Sequence, residues 1–330
     1  MTSKLKLIEH IAEDEIKLRP MDDYIHLQQK YHQLLKEYED LKNEYQDLHV
    51  LYNNLIEHST FIENELDEKL KIIEDANKKI NQSISYAQKI QSAVFPNKSQ
   101  LHHFFPGSFV LLRSRDVVSG DFYWFRKIDH RIFIAAADCT GHGIPGAFMS
   151  MLGIAFLNEV TQHSKMDADQ ILEDLRDLMK SSLHQQGYTK ETKDGMDMAF
   201  CAIDTDKNTL QFSGAYRPLY LFRNNTLNEY KGARAPIGIS FKEKPFTKYE
   251  IELQPGDTFY MFSDGYVDQI APNREKYKTK RFKNFLQQIH TYDLPKQKAL
   301  LEEELDNWQK DEEQVDDILV MGFRINELNK

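Results

Sequence analysis

From Tyr24 onward the apolar positions advance in alternating steps of three and four: Tyr24, Leu27, Tyr31, Leu34, Tyr38, Leu41, Tyr45, Leu48, Tyr52 and Leu55. This spacing sets all of them on one stripe of an α-helix, with tyrosine at one seam position and leucine at the other. The stripe continues through Ser59, Ile62 and Leu66, takes a second consecutive step of four to Leu70, and runs on through Ile73, Asn77, Ile80, Ile84 and Ala87. A doubled step of four is a stutter, where a coiled coil locally unwinds. No glycine occurs before Gly107 and no proline lies between Pro20 and Pro96, so the two helix-breaking residue types are missing. The spacing predicts one helix over residues 21–95, about 110 Å long at 1.5 Å per residue, after an N-terminal tail over 1–20. A lone helix of that length leaves its stripe in water. A partner strand is therefore expected, and the simplest is a second copy in a parallel homodimer. An antiparallel hairpin within one chain finds no turn residues to support it.

After Pro96 the pattern changes to short β-like runs separated by turn signals. Strands are expected at Phe109–Leu112, Phe122–Phe125, Ile132–Ala137, Met198–Ile203, Leu210–Ser213, Leu219–Arg223, Tyr249–Leu253, Phe259–Phe262 and Ile318–Arg324. A helix should follow Pro145, from about Gly146 to His163. Another, Ala168 to Gln185, sets Ile171, Leu172, Leu175, Leu178 and Met179 on one face. A third, Lys296 to Gln309, reads as polar and peripheral. Many strands with helices inserted together point to an α+β layered domain over 96–330.

Composition narrows the function classes. The net charge of −10, from 52 acidic against 42 basic residues, argues against phosphate-backbone binding, so no nucleic-acid partner is expected. The N-terminus has no apolar core of a secretory signal. The apolar run Ile144 to Leu157 is broken by Pro145, Gly146, Ser150 and Gly153 and falls short of the ~20 residues of a membrane span. The expectation is a cytoplasmic protein with no membrane association. Cys139 and Cys201 are far apart without CxxC spacing and read as buried, reduced thiols.

The candidate chemistry lies in acidic residues at strand ends. Asp121 opens a strand in VSGDFYW, Asp138 ends the run IFIAAA and begins DCTGHG, Asp264 follows FYMFS, and Asp316 and Asp317 precede ILVM. Converging, such tips would form an oxygen-rich negative pocket, which repulsion and desolvation make unstable without cations. Hard divalent ions suit oxygen ligands.

The ordered segments VSGDFYW, ADCTGHG, MFSDGYVDQ and EQVDDILVMG resemble the motifs of the PPM-type (2C-like) metal-dependent serine/threonine phosphatases, most closely their bacterial SpoIIE/RsbU-like branch. Residues 84–96, ISYAQKIQSAVFP, resemble the helical lead-in of those domains. The resemblance implies an α-β-β-α sandwich holding two Mn2+ or Mg2+ ions. Asp138 would bridge both, with ligands from the Cys139 backbone carbonyl, Asp121, Asp264 and Asp316, or Asp317 in its place. Asp138 and Asp264 would be the catalytic carboxylates. The implied reaction is hydrolysis of phosphoserine or phosphothreonine on a protein by metal-activated water. The expected substrate is a phosphorylated anti-sigma-factor antagonist of STAS type, and the coiled coil would be the regulatory input.

The match has departures. Trp124 stands where many relatives carry Asp, and Arg113 and Arg115 are candidates for a phosphate-clamping arginine. His142, between two glycines, reads as a loop-packing residue before a general acid, and Asp197 as a strand-end cap before an accessory site. Loops 187–196 and 271–283 would provide substrate contacts, the second through Arg274, Lys276, Lys278, Lys280 and Arg281. The competing class is a dimeric signalling scaffold with weak or lost activity; intact acids at every motif oppose it. A nucleotide cyclase would need a glycine-rich phosphate loop, which is missing.

Overall fold

The computed structural model describes residues 21–162, 166–185, 193–240 and 243–326. The chain forms two units, residues 1–79 and 80–330. The expected tail 1–20 lies outside the described residues. Helix α1 (Met21–Val94) is continuous through the stutter. All ten Tyr and Leu seam residues from Tyr24 to Leu55 are exposed, from 38% at Tyr24 to 69% at Tyr45.

The second unit begins with the last turns of α1 and a short helix α2 (Lys98–Phe104). Its strands are β1 (Phe109–Arg113), β2 (Phe122–Ile128), β3 (Arg131–Cys139), β4 (Met196–Asp204), β5 (Thr209–Ala215), β6 (Leu219–Arg223), β7 (Thr226–Tyr230), β8 (Tyr249–Glu252), β9 (Thr258–Phe262) and β10 (Ile318–Arg324). They form two five-stranded sheets, ordered β1-β10-β9-β6-β7 and β2-β3-β4-β5-β8. Every strand pairing is antiparallel.

Helices α3 (Gly143–Val160) and α4 (Ala168–Ser182) cover the β3 sheet, and α6 (Thr279–Ile289) and α7 (Leu294–Gln309) cover the β9 sheet. A four-residue helix, α5 (Gly265–Asp268), follows β9. The result is the expected α-β-β-α sandwich. Both faces of its central strands are buried, which is why they read as unbroken apolar runs rather than alternating ones. In β3, Ile132, Ile134 and Ala136 enter the core between the sheets, while Phe133, Ala135 and Ala137 meet the helices. In β9, Phe259 and Met261 face the other sheet, and Tyr260 and Phe262 pack under α6 and α7.

Several expectations need correction. Strand β7 was not anticipated: its sequence TLNEY has no buried residue to give an apolar signal. Helix α7 is no peripheral element, since Leu294, Leu301 and Leu305 are fully buried against β1 and β10. Helix α6 begins inside the expected loop 271–283, with Phe282, Leu286 and Ile289 as its buried face. Helix α3 starts at Gly143, ahead of the expected Gly146; His163, its expected end, lies outside the described residues. Its mean hydropathy of 1.3 over 18 residues would suit a membrane span. Here Met149, Ile154, Phe156 and Leu157 pack instead within this layer.

Candidate active site

The strand order carries the acidic tips to one place. Strand β3 pairs with β4 so that Asp138 stands opposite Asp197. On the other sheet, β9 and β10 are neighbours, and Asp264 and the pair Asp316–Asp317 adjoin their ends. Asp121 immediately precedes β2, the neighbour of β3. The sheets therefore gather Asp121, Asp138, Asp264, Asp316 and Asp317, as the sequence motifs imply, and add Asp197.

Close backbone packing makes this possible. A Cβ on Gly120 would lie 2.6 Å from the Gly141 carbonyl oxygen, and one on Gly146 would collide with the same atom. Gly141 and Gly143 adopt φ of +84° and +63°, the left-handed conformations that glycine enters without steric cost. The Asp121 and Asp138 loops thus meet backbone to backbone. A side chain on Gly265 would collide with the Asp317 carbonyl, so the Asp264 and Asp316 segments are joined in the same way.

The electrostatic consequences are severe. Asp121 is 2% exposed, and its Oδ2 has no hydrogen-bond partner. Burial first, then the neighbouring Asp138, holds its carboxyl well above the usual range, against a hydrogen bond from Ser263. Burial also pushes Asp138 up to about 8; Arg217 opposes the rise, and Asp264, Asp197 and Asp316 add to it. Asp197 is pushed up to about 6, again by burial first, with Arg217 opposing and Asp264 adding.

Arg217, in the turn between β5 and β6, is the residue that sequence reading missed altogether. Its Nη2 lies 3.0 Å from Asp138 Oδ2, 2.9 Å from Asp197 Oδ2 and 2.7 Å from Asp264 Oδ2. The signal was present in SGAYRPL, where a lone arginine follows three small residues and a tyrosine, but no pattern tied it to the acids. For Asp197 the sequence favours a strand-end cap over an accessory site; the register with Asp138 makes it part of the cluster. Beside it a cavity of about 150 Å3 is lined by Asp138, Cys139, Thr140, Asp197 and Pro236, among others.

The two carboxylates of the DD pair have different surroundings. Asp317 accepts hydrogen bonds from Arg115 N at 2.8 Å on Oδ1 and from Gly120 N at 2.7 Å on Oδ2. Both its oxygens are thus committed to fixing the loop ahead of Asp121. Asp316 is half-buried and accepts only the local Asp317 N–H on Oδ1 among the described hydrogen bonds. Asp316 is therefore the member with oxygen to spare.

Gln91, in the last turn of α1, is 4% exposed and grips the same loop. Its Nε2 donates to Ser119 O at 2.6 Å and to Ser150 Oγ at 2.9 Å, while its Oε1 accepts from Ser119 N at 3.1 Å. Only Gly120 separates the clamped Ser119 from Asp121.

The remaining candidates fall outside the cluster. His142 Nδ1 pairs with Asp116 Oδ2 at 2.7 Å on the surface, tying two loops together as a packing role requires. Trp124 faces the helical layer and donates its indole N–H to Asn158 Oδ1 at 3.1 Å, so position 124 carries packing here. Arg113 is engaged with Asp306 on α7 at 2.7 Å. The Cys139 thiol is buried in the helix-side layer, with burial pushing it up, which leaves its backbone as the polar group to offer.

No group of three or more His, Cys, Asp or Glu among the described residues is arranged to hold an ion as it stands; Asp138, Asp197 and Asp264 converge on Arg217. The donor chemistry nevertheless fits a hard divalent cation. It is all oxygen, it runs from the buried Asp121 to the partly exposed Asp264, and it includes an orphaned carboxylate oxygen at Asp121.

The raised carboxyls predict a pH dependence. The folded state binds protons that the unfolded chain, with Asp near 3.9, has released. This contribution to stability is complete below about pH 4. It is lost as pH rises through about 6 for Asp197 and about 8 for Asp138. Thermal melts in chelator should show the wild type losing more stability than Asp138→Asn between about pH 5 and pH 9. Parallel profiles for the two proteins would contradict the assignment.

The comparisons with known proteins agree with this geometry. The family described as Stage II sporulation protein E (SpoIIE) matches residues 128–326. The chain is 33% identical to the SiaA-PP2C domain of Pseudomonas aeruginosa, covering 76% of this chain and 98% of that one with a TM-score of 0.68. It shares its fold, at 20% identity and a TM-score of 0.56, with the PP2C phosphatase domain and regulatory fragment of SpoIIE from Bacillus subtilis, over 66% of this chain and 62% of that one. With the phosphoserine phosphatase RsbU of Bacillus subtilis (strain 168) it is 26% identical over 160 residues, which span 47% of this chain and 45% of that protein. A buried carboxylate cluster at the edges of two packed sheets, a match over most of the second unit and a relative aligned almost end to end lead to one assignment: the chain belongs to the SpoIIE family, and its second unit is a PP2C-type phosphatase domain.

Proposed function

We propose that this protein hydrolyses phosphoserine or phosphothreonine on a partner protein, using water activated by divalent cations. The observation that carries the proposal is the convergence of Asp121, Asp138, Asp264 and Asp316, with a buried carboxylate oxygen of Asp121 left without a partner. These four, with the Cys139 carbonyl, are the residues that would hold two Mn2+ or Mg2+ ions, and Asp317 fixes the loop beside them. Bound there, such ions would supply a hydroxide from a shared water and positive charge for the phosphoryl oxygens. The chain's own part is to keep the carboxylates desolvated and fixed. Strand register, the close-packed glycines and the Asp317 hydrogen bonds do this.

Asp138→Asn should abolish Mn2+-dependent hydrolysis of p-nitrophenyl phosphate while leaving the fold intact by circular dichroism. Near-normal turnover in this variant would rule the reading out. Absence of turnover in the wild type would favour the inactive scaffold.

The substrate we favour is a cytoplasmic phosphoserine protein of STAS type. The similarity to RsbU supports this, although it covers less than half of that protein. Substrate contacts would lie outside the carboxylate cluster. Residues 187–192 of the first expected docking loop lie outside the described residues. In the second loop, Arg274, Lys276 and Lys278 face Glu312, Asp268 and Glu275, and Arg281 stacks 3.9 Å from Trp308. Much of that basic charge is balanced locally, which weakens its use for long-range steering.

Regulation would enter through α1. Its exposed Tyr/Leu stripe needs a partner, and a second copy in parallel register supplies the same stripe. A change in the dimer that rotated or shifted the helix end would move Gln91, and with it the Ser119–Gly120–Asp121 segment. The full chain should be a dimer by light scattering at micromolar concentration, and a monomer there would exclude this route. Gln91→Leu should leave the dimer intact and lower Mn2+-dependent turnover at least about tenfold, a loss of ~1.4 kcal/mol that lies within what its three buried hydrogen bonds contribute. Unchanged turnover would show that the clamp transmits nothing.

A further inference from the structure

Arg217 is an unusual neighbour for a cluster of metal-binding type. One guanidinium nitrogen, Nη2, lies within 3.0 Å of oxygens from three separate carboxylates, on β3, β4 and the segment after β9. The side chain is 15% exposed, and its Nε is buried without a partner. Its backbone is held just as closely. Arg217 N donates to Ala215 O at 2.6 Å, and a side chain on Gly214 or Gly232 would strike the Arg217 carbonyl. Tyr216, before it, takes φ of +55°, a strained choice for a non-glycine residue. The turn is built to aim this one side chain at Asp138, Asp197 and Asp264.

A buried set of carboxylates requires compensating charge, and removing a lone partner from such a set is costly. The guanidinium supplies one positive charge, at the Asp138 and Asp264 carboxylates that a divalent ion would also use. Guanidinium and ion cannot both occupy the point where those two carboxylates meet. We propose that Arg217, anchored on Asp197, is an internal counter-cation that competes with divalent metal for Asp138 and Asp264, and so sets the metal concentration at which the site loads. Arg217 is on this account a positioning residue: it acts on the reaction through metal occupancy. The inference rests on the assignment of divalent cations to this cluster made above, and goes beyond it by giving the chain its own occupant for the same oxygens.

Competition predicts a sign that a merely structural arginine does not. Removing a structural ion-pair partner loosens the carboxylates and weakens metal binding; removing a competitor tightens it. The test is calorimetric titration of Mn2+ into the full-length wild type, Arg217→Gln and Arg217→Lys, without substrate. Arg217→Gln should bind Mn2+ at least about tenfold more tightly than the wild type, equivalent to ~1.4 kcal/mol. Arg217→Lys keeps the charge but lacks the planar fork that meets several carboxylates at once. It should fall between the two, and it serves as the deciding variant if Arg217→Gln does not fold without metal. In chelator, Arg217→Gln should melt below the wild type and recover when Mn2+ is added. Affinity that is equal or weaker in the folded variants overturns the proposal, while leaving the phosphatase reading intact. Failure of wild type and variants alike to bind Mn2+ overturns both. Tighter Mn2+ binding in a chain that hydrolyses no phosphate ester defeats only the phosphatase reading.

Discussion

Mutual repulsion among buried carboxylates is the constraint around which the catalytic unit is organised. Asp121, Asp138, Asp197, Asp264, Asp316 and Asp317 come from both sheets, and burial denies Asp121, Asp138, Asp197 and Asp317 the solvation that would make this proximity harmless. A fold can hold such a cluster only if its backbone is fixed more firmly than the charges push apart. The two-sheet core provides that rigidity, because the central strands are packed on both faces and cannot yield at their ends without opening the sandwich. The same repulsion makes the site a cation site, whether the positive charge is a guanidinium or a metal ion.

The connections nearest the acids are correspondingly exact in their chemistry. Gly120, Gly141 and Gly146 meet where no side chain fits, and Asp317 spends both oxygens on backbone N–H groups of the loop ahead of Asp121. Gln91 adds a third hold on that loop from the end of the long helix. The loop is thus fixed from the two-sheet core and from the last turn of the helix together.

Much of this was legible in the sequence because it rests on local pattern. The heptad spacing of Tyr24 to Leu55 marked the helix, the all-apolar runs marked doubly buried strands, and each motif acid lay at the end of such a run. What was not legible depends on pairing between distant segments. Asp197 joins the cluster only because β3 and β4 pair in the register that opposes it to Asp138. Arg217 joins because the β5–β6 turn points back over that pair. Likewise, the DD pair reads as two equal carboxylates until Gly120 and Arg115 are seen to claim Asp317. Helix α7 looked peripheral because few of its residues are apolar, although Leu294, Leu301 and Leu305 are enough to seat it.

The central claim is that these acids form a divalent-cation centre, and the most direct measurement is anomalous diffraction at the manganese edge from crystals of the full chain grown with Mn2+. The account predicts anomalous density among the carboxylates of Asp121, Asp138, Asp264 and Asp316, with the Arg217 guanidinium displaced from Asp138 and Asp264. Density confined to other parts of the surface, with Arg217 still bridging Asp138, Asp197 and Asp264, would contradict it.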